Sequence, residues 1–239
     1  MPVLIDEVLR RVALGRHAPY LCRADDGQLY CVLHRGGSRR ERAAEALAVR
    51  LARALGLPVA AGRAVEVPAA LVAAEMGEWL AELPAGPGWA WRYTESTEPT
   101  PAQLRQVPAA LRARIAAFDW WLHNAGRTVA PSGVPAGLRW RTDPPGPGHD
   151  DPRPPLLLID HRLAFDPRFD AARFARTHVF GTDFARLAAD FIDRERLRQD
   201  CVQALAMLEA EPDGLRGERG WGELLARCRS DDAFWTAAP

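Results

Sequence analysis

The order of elements in this sequence predicts an α+β fold, with a small β-rich N-terminal part followed by a mainly helical C-terminal part. Three observations carry that reading. Residues 19–35, PYLCRADDGQLYCVLHR, read as two strands around a tight turn. Residues 38–58 read as a capped amphipathic helix with a glycine stop. After an apolar run at 156–160, the remaining pattern is helical to near the end.

In the first hairpin, Tyr20, Cys22 and Ala24 alternate with Leu21, Arg23 and Asp25. On the return strand Leu29, Cys31 and Leu33 alternate with Tyr30, Val32 and His34. A two-residue Asp26-Gly27 loop places Cys22 directly opposite Cys31, whereas a three-residue loop with a bulge offsets them by one. A small apolar contact is expected between the two, rather than a disulfide. The helix that follows opens on Ser38-Arg-Arg-Glu41, a capping box in which the Ser38 hydroxyl bonds the amide at Glu41. Its apolar positions are Ala44, Leu47, Ala48, Leu51 and Leu55, and Gly56 with Pro58 ends it.

GRAVEV at 62–67 and ALVAAEM at 70–76 predict short strands. The Pro-, Gly- and Thr-rich stretch 84–101 predicts a lobe boundary or surface loop, dividing the chain into 1–83 and 84–239. A second helix from Pro108 places Leu111, Ile115, Phe118 and Leu122 on one face, with Gly126 at the C′ position beyond its end. The segment RTDPPGPGHDDPRPP at 141–155 holds too many prolines for a ladder and is expected to be a mobile loop. LLLID at 156–160 predicts a buried strand. TDFARLAADFI, a stretch with Leu197, Cys201, Leu205 and Leu208 on one face, and WGELLARC predict the C-terminal helices.

Composition removes several function classes. Of 239 residues, 48% are hydrophobic and 26% charged, an ordinary balance for a soluble domain. Thirty-one basic residues offset thirty-one acidic ones, so charge makes no case for a nucleic-acid partner. No apolar run reaches the roughly 18 residues of a membrane span, and the N-terminus lacks a secretory pattern, so a cytoplasmic protein is expected. The four cysteines lack zinc-site spacing. His149, Asp150 and Asp151 are ligand-capable, but a metal there is not expected. The count that matters most is lysine: there is none, since every basic residue other than histidine is arginine. No reaction in this protein uses a lysine amine as phosphate clamp or Schiff base.

GQLYCVLHRGG, AAEALAVRLARALGLPV, FDWWLHNAGRTV and LLLIDHRLAF, in that order, resemble the small bacterial HipA-like kinases over about residues 15–170. The resemblance implies a two-lobed, protein-kinase-like fold, with 1–83 as the β-rich N-lobe and 84–239 as the C-lobe. It also implies ATP and Mg2+ as cofactors. Phosphoryl transfer needs a lysine on the phosphates braced by a helix carboxylate, a base for the attacking hydroxyl, and an Asn and an Asp on magnesium. Carried over residue by residue, the lysine position falls on Leu33 and the bracing carboxylate on Glu45. The base falls on Gly126, and the downstream Asn falls near Pro131 or Gly133. Only the metal Asp survives, as Asp160. The phosphate-covering loop, near Gly15-Arg-His-Ala-Pro19, keeps one glycine.

Taken singly, these residues also have plainer readings. Gly126 reads as a helix cap, Asp160 as a turn cap, His161 as a turn support and Glu45 as a solvated face residue. Order and spacing together favour a pseudokinase whose ATP and Mg2+ binding is weakened or lost. Glu45, Asn124, Asp160 and His161 are its nucleotide-facing candidates and Asp160 its metal ligand, and it acts by weak nucleotide binding or by interaction with a protein partner. An active atypical Ser/Thr kinase is the second expectation, with Arg35 or Arg23 on the phosphates and His123 or Asp119 moving the proton. A purely structural binding module is the third.

Overall fold

The computed structural model describes residues 1–12, 18–32, 38–74, 80, 82–83, 85–128, 137–142, 155–210 and 221–230. By its internal contacts the chain divides into two compact units, Met1–Ser38 with Ala60–Glu95, and Arg39–Val59 with Ser96–Pro239. This grouping differs from one cut after residue 83, because the helix at 39–54 packs with the second unit and the segment 84–95 with the first.

The first unit is a closed barrel. Strands β1 (Val3–Arg11), β2 (Tyr20–Ala24), β3 (Leu29–Val32), β4 (Gly62–Val67) and β5 (Gly86–Arg92) follow one another in the order β1-β2-β3-β5-β4. Every pairing is antiparallel except β1 with β4, the parallel contact that closes the ring. Ile5, Tyr20, Cys22, Ala24, Val65 and Ala90 fill the interior with none of their surface exposed. The hairpin takes the three-residue loop: Ala24 N–H donates to Gln28 O at 3.1 Å, and Gly27 adopts φ 73. Cys22 therefore pairs with Tyr30 and Cys31 with Leu21, so the two cysteines are offset by one, point to opposite faces and are both free thiols.

Two expectations fail in this unit. Residues 70–76 were expected to form a strand, but a short helix α1 covers Ala69–Ala74, begun by the Leu71 N–H donating to Pro68 O at 3.1 Å. Alanine favours helix, and Leu71 and Val72 pack on the barrel core from one side. The stretch 84–101, read as a lobe boundary or surface loop, does contain the division between the two units at Glu95 and Ser96, but it is not all loop: it holds β5, which pairs with both β3 and β4. Two-sided pairing overrides its Gly-Pro-Gly start. Trp89 of β5 lies across Gly62, where a Cβ would sit 2.7 Å from the ring.

The second unit is helical with a small sheet. Helix α2 (Arg39–Ala54) follows Ser38 and buries Ala44, Leu47, Ala48, Leu51 and the flanking Leu55 as expected. It ends in a Schellman motif: Gly56 at φ 68, Gly56 N–H to Arg53 O, and Leu57 N–H to Ala52 O. Helix α3 (Pro101–Gln106) carries a Thr100/Gln103 capping box, and α4 (Ala109–Trp121) follows Pro108. Strands β6 (Ser96–Thr97), β7 (Leu138–Arg141) and β8 (Leu156–Leu158) form an antiparallel sheet in that order. Helices α5 (Ala171–Thr177), α6 (Gly181–Ala189), α7 (Phe191–Ala210) and α8 (Trp221–Ser230) complete the unit. The predicted buried positions of α7, Leu197, Cys201, Leu205 and Leu208, are all inside. Among the described residues no helix is long and apolar enough to cross a membrane. The chain is thus α+β.

Candidate functional site

Helix α4 sets the site. From Ile115 to Leu122 every residue is buried, so this half of the helix faces protein on all sides and not only along one stripe. Asp119 is carried inside with no exposed surface. The helix does not stop at Gly126. His123 takes the left-handed C′ position at φ 50, donating to Trp120 O at 2.9 Å, and Asn124 N–H donates to Asp119 O at 2.7 Å. This is the same motif that glycine supplies at Gly56. The expected cap at Gly126 is three residues late, and Gly126 has no positive φ. A Cβ there would lie 3.0 Å from Asn124 Oδ1, and the Gly126 N–H donates to that oxygen at 3.1 Å.

Around Asp119 a buried hydrogen-bonded chain is built. Asp119 Oδ1 accepts from Asn124 Nδ2 at 2.7 Å and from Arg127 NH1 at 2.8 Å. Its Oδ2 faces His178 Nε2 at 3.2 Å. The other His178 nitrogen, Nδ1, accepts the Phe180 N–H at 3.1 Å, which places the ring proton on Nε2, toward Asp119. Arg127, also without exposed surface, spends NH2 on Ile159 O at 3.3 Å and on His161 Nε2 at 2.8 Å. Because His161 Nε2 accepts, its ring proton sits on Nδ1, 3.5 Å from Glu45 Oε1. The His161 backbone N–H donates to the other Glu45 oxygen. One line of bonds thus runs from α2 through the end of β8 and the α4 turn to the residue after α5. Burial works to raise the Asp119 pKa, but Arg127 and His178 outweigh it and hold the carboxyl below its usual range.

Glycine is required beside this chain at Gly137. It adopts φ 71, and a Cβ would lie 2.9 Å from Ile159 O and 3.5 Å from Arg127 Cγ. Glu45 is 2% exposed and is not a solvated face residue, since α2 is buried without a break from Ala43 to Val49 and packs on α7 and α8. Glu45, Asn124 and His161 all belong to the buried chain. Asp160, next along, has φ 57 and stands at its partly exposed end. Leu33, Arg35, Pro131, Gly133, His149, Asp150, Asp151, most of the expected phosphate loop and residues 143–154 of the Pro-rich loop lie outside the described residues.

The described residues do not fit a magnesium ion. Both Asp160 oxygens accept from Arg162, at 2.9 and 3.4 Å. No group of three His, Cys, Asp or Glu among the described residues is placed to hold a metal. As for proton transfer, Asp119 has no exposed surface and both oxygens engaged, so it reaches no external hydroxyl in this arrangement. His123 stacks on Phe169 at 4.4 Å and faces Arg227.

Sequence reasoning did not find the roles of Arg127, Arg162 and His178. Arg127 follows the base position in the motif and is the hub of the buried chain. Nothing local distinguishes it from the exposed arginines. His178 has no motif signal at all.

No curated protein matches the chain. Residues 5–215 match the family described as HipA-like kinase, a span that takes in all of the barrel but the first two residues of β1, together with α2, the α4 turn and the β8 end. The chain therefore belongs to the HipA-like kinase family.

Proposed function

We propose that this protein is a HipA-like kinase-fold pseudokinase, acting in the cytoplasm by weak nucleotide binding or as a protein-interaction module. The barrel unit and the helical unit are taken as the family's two lobes. One observation carries the reading. The position that matches the family's base is Gly126, and the matching neighbours Asp119, Asn124 and Arg127 are tied to one another in a buried chain. The absence of any lysine supports it from the sequence side. A general base alone is worth roughly 10²–10⁴ in rate, and losing several parts of one machine compounds that deficit.

Radiolabelled transfer from ATP with Mg2+, beside a calorimetric ATP titration, tests it. The expected result is turnover at background, with ATP shifting the melting temperature slightly or not at all. Restoring the side chain by Gly126→Asp is expected to leave transfer at background, because no lysine is present to neutralise the phosphates. Robust turnover that Asp160→Ala abolishes would defeat the proposal in favour of an active kinase.

A further inference from the structure

Asp160 and Arg162 form a closed pair just after β8. Asp160 stands at φ 57, and two residues later the Arg162 guanidinium reaches back to it. Nε donates to Oδ1 at 2.9 Å and NH2 to Oδ2 at 3.4 Å. One guanidinium therefore takes both carboxylate oxygens, in the two-bond geometry that suits arginine to carboxylates. The contact is partly sheltered, with side-chain exposure of 13% for Arg162 and 27% for Asp160. Besides Asp160, the carboxylates of Glu45 and Glu41 also act on this guanidinium. Arg162 thus sits in the field of three carboxylates.

We propose that Arg162 is a built-in cation that occupies the metal's place against Asp160 and keeps divalent ions off this carboxylate. The competition favours it for two reasons. The guanidinium is tethered two residues from its anion, so it is present at high effective concentration whatever the metal level. A metal that displaces it must break two charge-assisted bonds, strand a partly buried arginine, and give up some of its own water. The inference goes beyond the pseudokinase reading. It concerns the metal alone and holds whether or not ATP binds.

Titration of the full-length chain with Mn2+ and no nucleotide, followed by electron paramagnetic resonance of the free ion, tests it. The wild-type chain is expected to show no saturable Asp160-dependent site up to about 1 mM Mn2+. Arg162→Gln is expected to bind Mn2+ through Asp160 up to roughly tenfold more strongly than the wild type does, and the double variant with Asp160→Asn to lose that gain. A saturable wild-type site that Asp160→Asn removes overturns the proposal. So does an Arg162→Gln variant with wild-type circular dichroism and no Asp160-dependent gain in Mn2+ binding. Should Arg162→Gln not fold, the comparison of wild type with Asp160→Asn decides alone, an Asp160-dependent site refuting the proposal and its absence supporting it.

Discussion

Asp119 Oδ1 and Arg127 NH1 lie 2.8 Å apart, and neither side chain has any exposed surface. A pair at that depth is secure only while both partners and their remaining bonds are present. Asn124 and His178 also bond the carboxylate, and Ile159 and His161 the guanidinium, whose buried Nε has no hydrogen-bond partner. Asp119, Asn124, Arg127, His161 and His178 are thereby joined in one buried network.

Arg127→Met should show this most directly. Removing one partner leaves a buried carboxylate without its cation, and a loss of about 3–5 kcal/mol is expected. Urea unfolding measures it. A loss under about 1 kcal/mol would mean that the pair behaves like a surface contact.

The pH dependence has a definite direction. The Asp119 carboxyl is held below its ordinary value of 3.8 in the folded chain. The native state therefore binds this proton less readily than the unfolded chain does. Its stabilising contribution is complete above the ordinary value and disappears as pH falls through the lower, folded one. The urea midpoint should fall over that acid range in the wild type, and this component should be missing from Asp119→Asn. Equal acid slopes in the two proteins would contradict the assignment.

His123 separates backbone strain from side-chain contact. Its φ of 50 disfavours any residue with a Cβ, while its ring stacks on Phe169 at 4.4 Å. His123→Ala and His123→Gly both remove the ring, but only alanine keeps the strain. The glycine variant should be the more stable of the two by about 1 kcal/mol. Identical melting temperatures would show that the turn relaxes.

Gly137 and Gly126 should respond differently to alanine. At Gly137 a methyl meets both a left-handed φ and the Ile159 carbonyl at 2.9 Å. At Gly126 it meets only Asn124 Oδ1 at 3.0 Å, a side-chain atom. Gly137→Ala should cost about 1–3 kcal/mol and Gly126→Ala clearly less. The reverse ranking, read by thermal unfolding, would place the backbone constraint at the wrong glycine.

Local signals in the sequence were good guides where local chemistry decides the outcome. The stop of α2 at Gly56 was legible because only a residue without a Cβ takes that φ without strain. The buried positions of α2 and α7 followed from helical spacing. The same logic failed at Gly126, where His123 accepts the left-handed position because Phe169 and Arg227 hold its ring. It failed again at β5, where strand partners on both sides outweigh two glycines and a proline. Glu45, Asn124, Asp160 and His161 were picked out as nucleotide-facing from order and spacing. Their bonding partners were not, since Glu45 and His161 are 116 positions apart.

By itself the sequence determined which chemical groups exist: no lysine amine, no carboxylate at position 126, and a carboxylate at Asp160, two residues after the β8 strand. Those are covalent facts that no folding changes. Tertiary structure decided what the remaining groups do. It buried Asp119 and Arg127 together, turned Glu45 onto His161, and closed Arg162 over Asp160. A charge taken out of water must find an opposite charge or a donor nearby, and only the fold determines which groups are near.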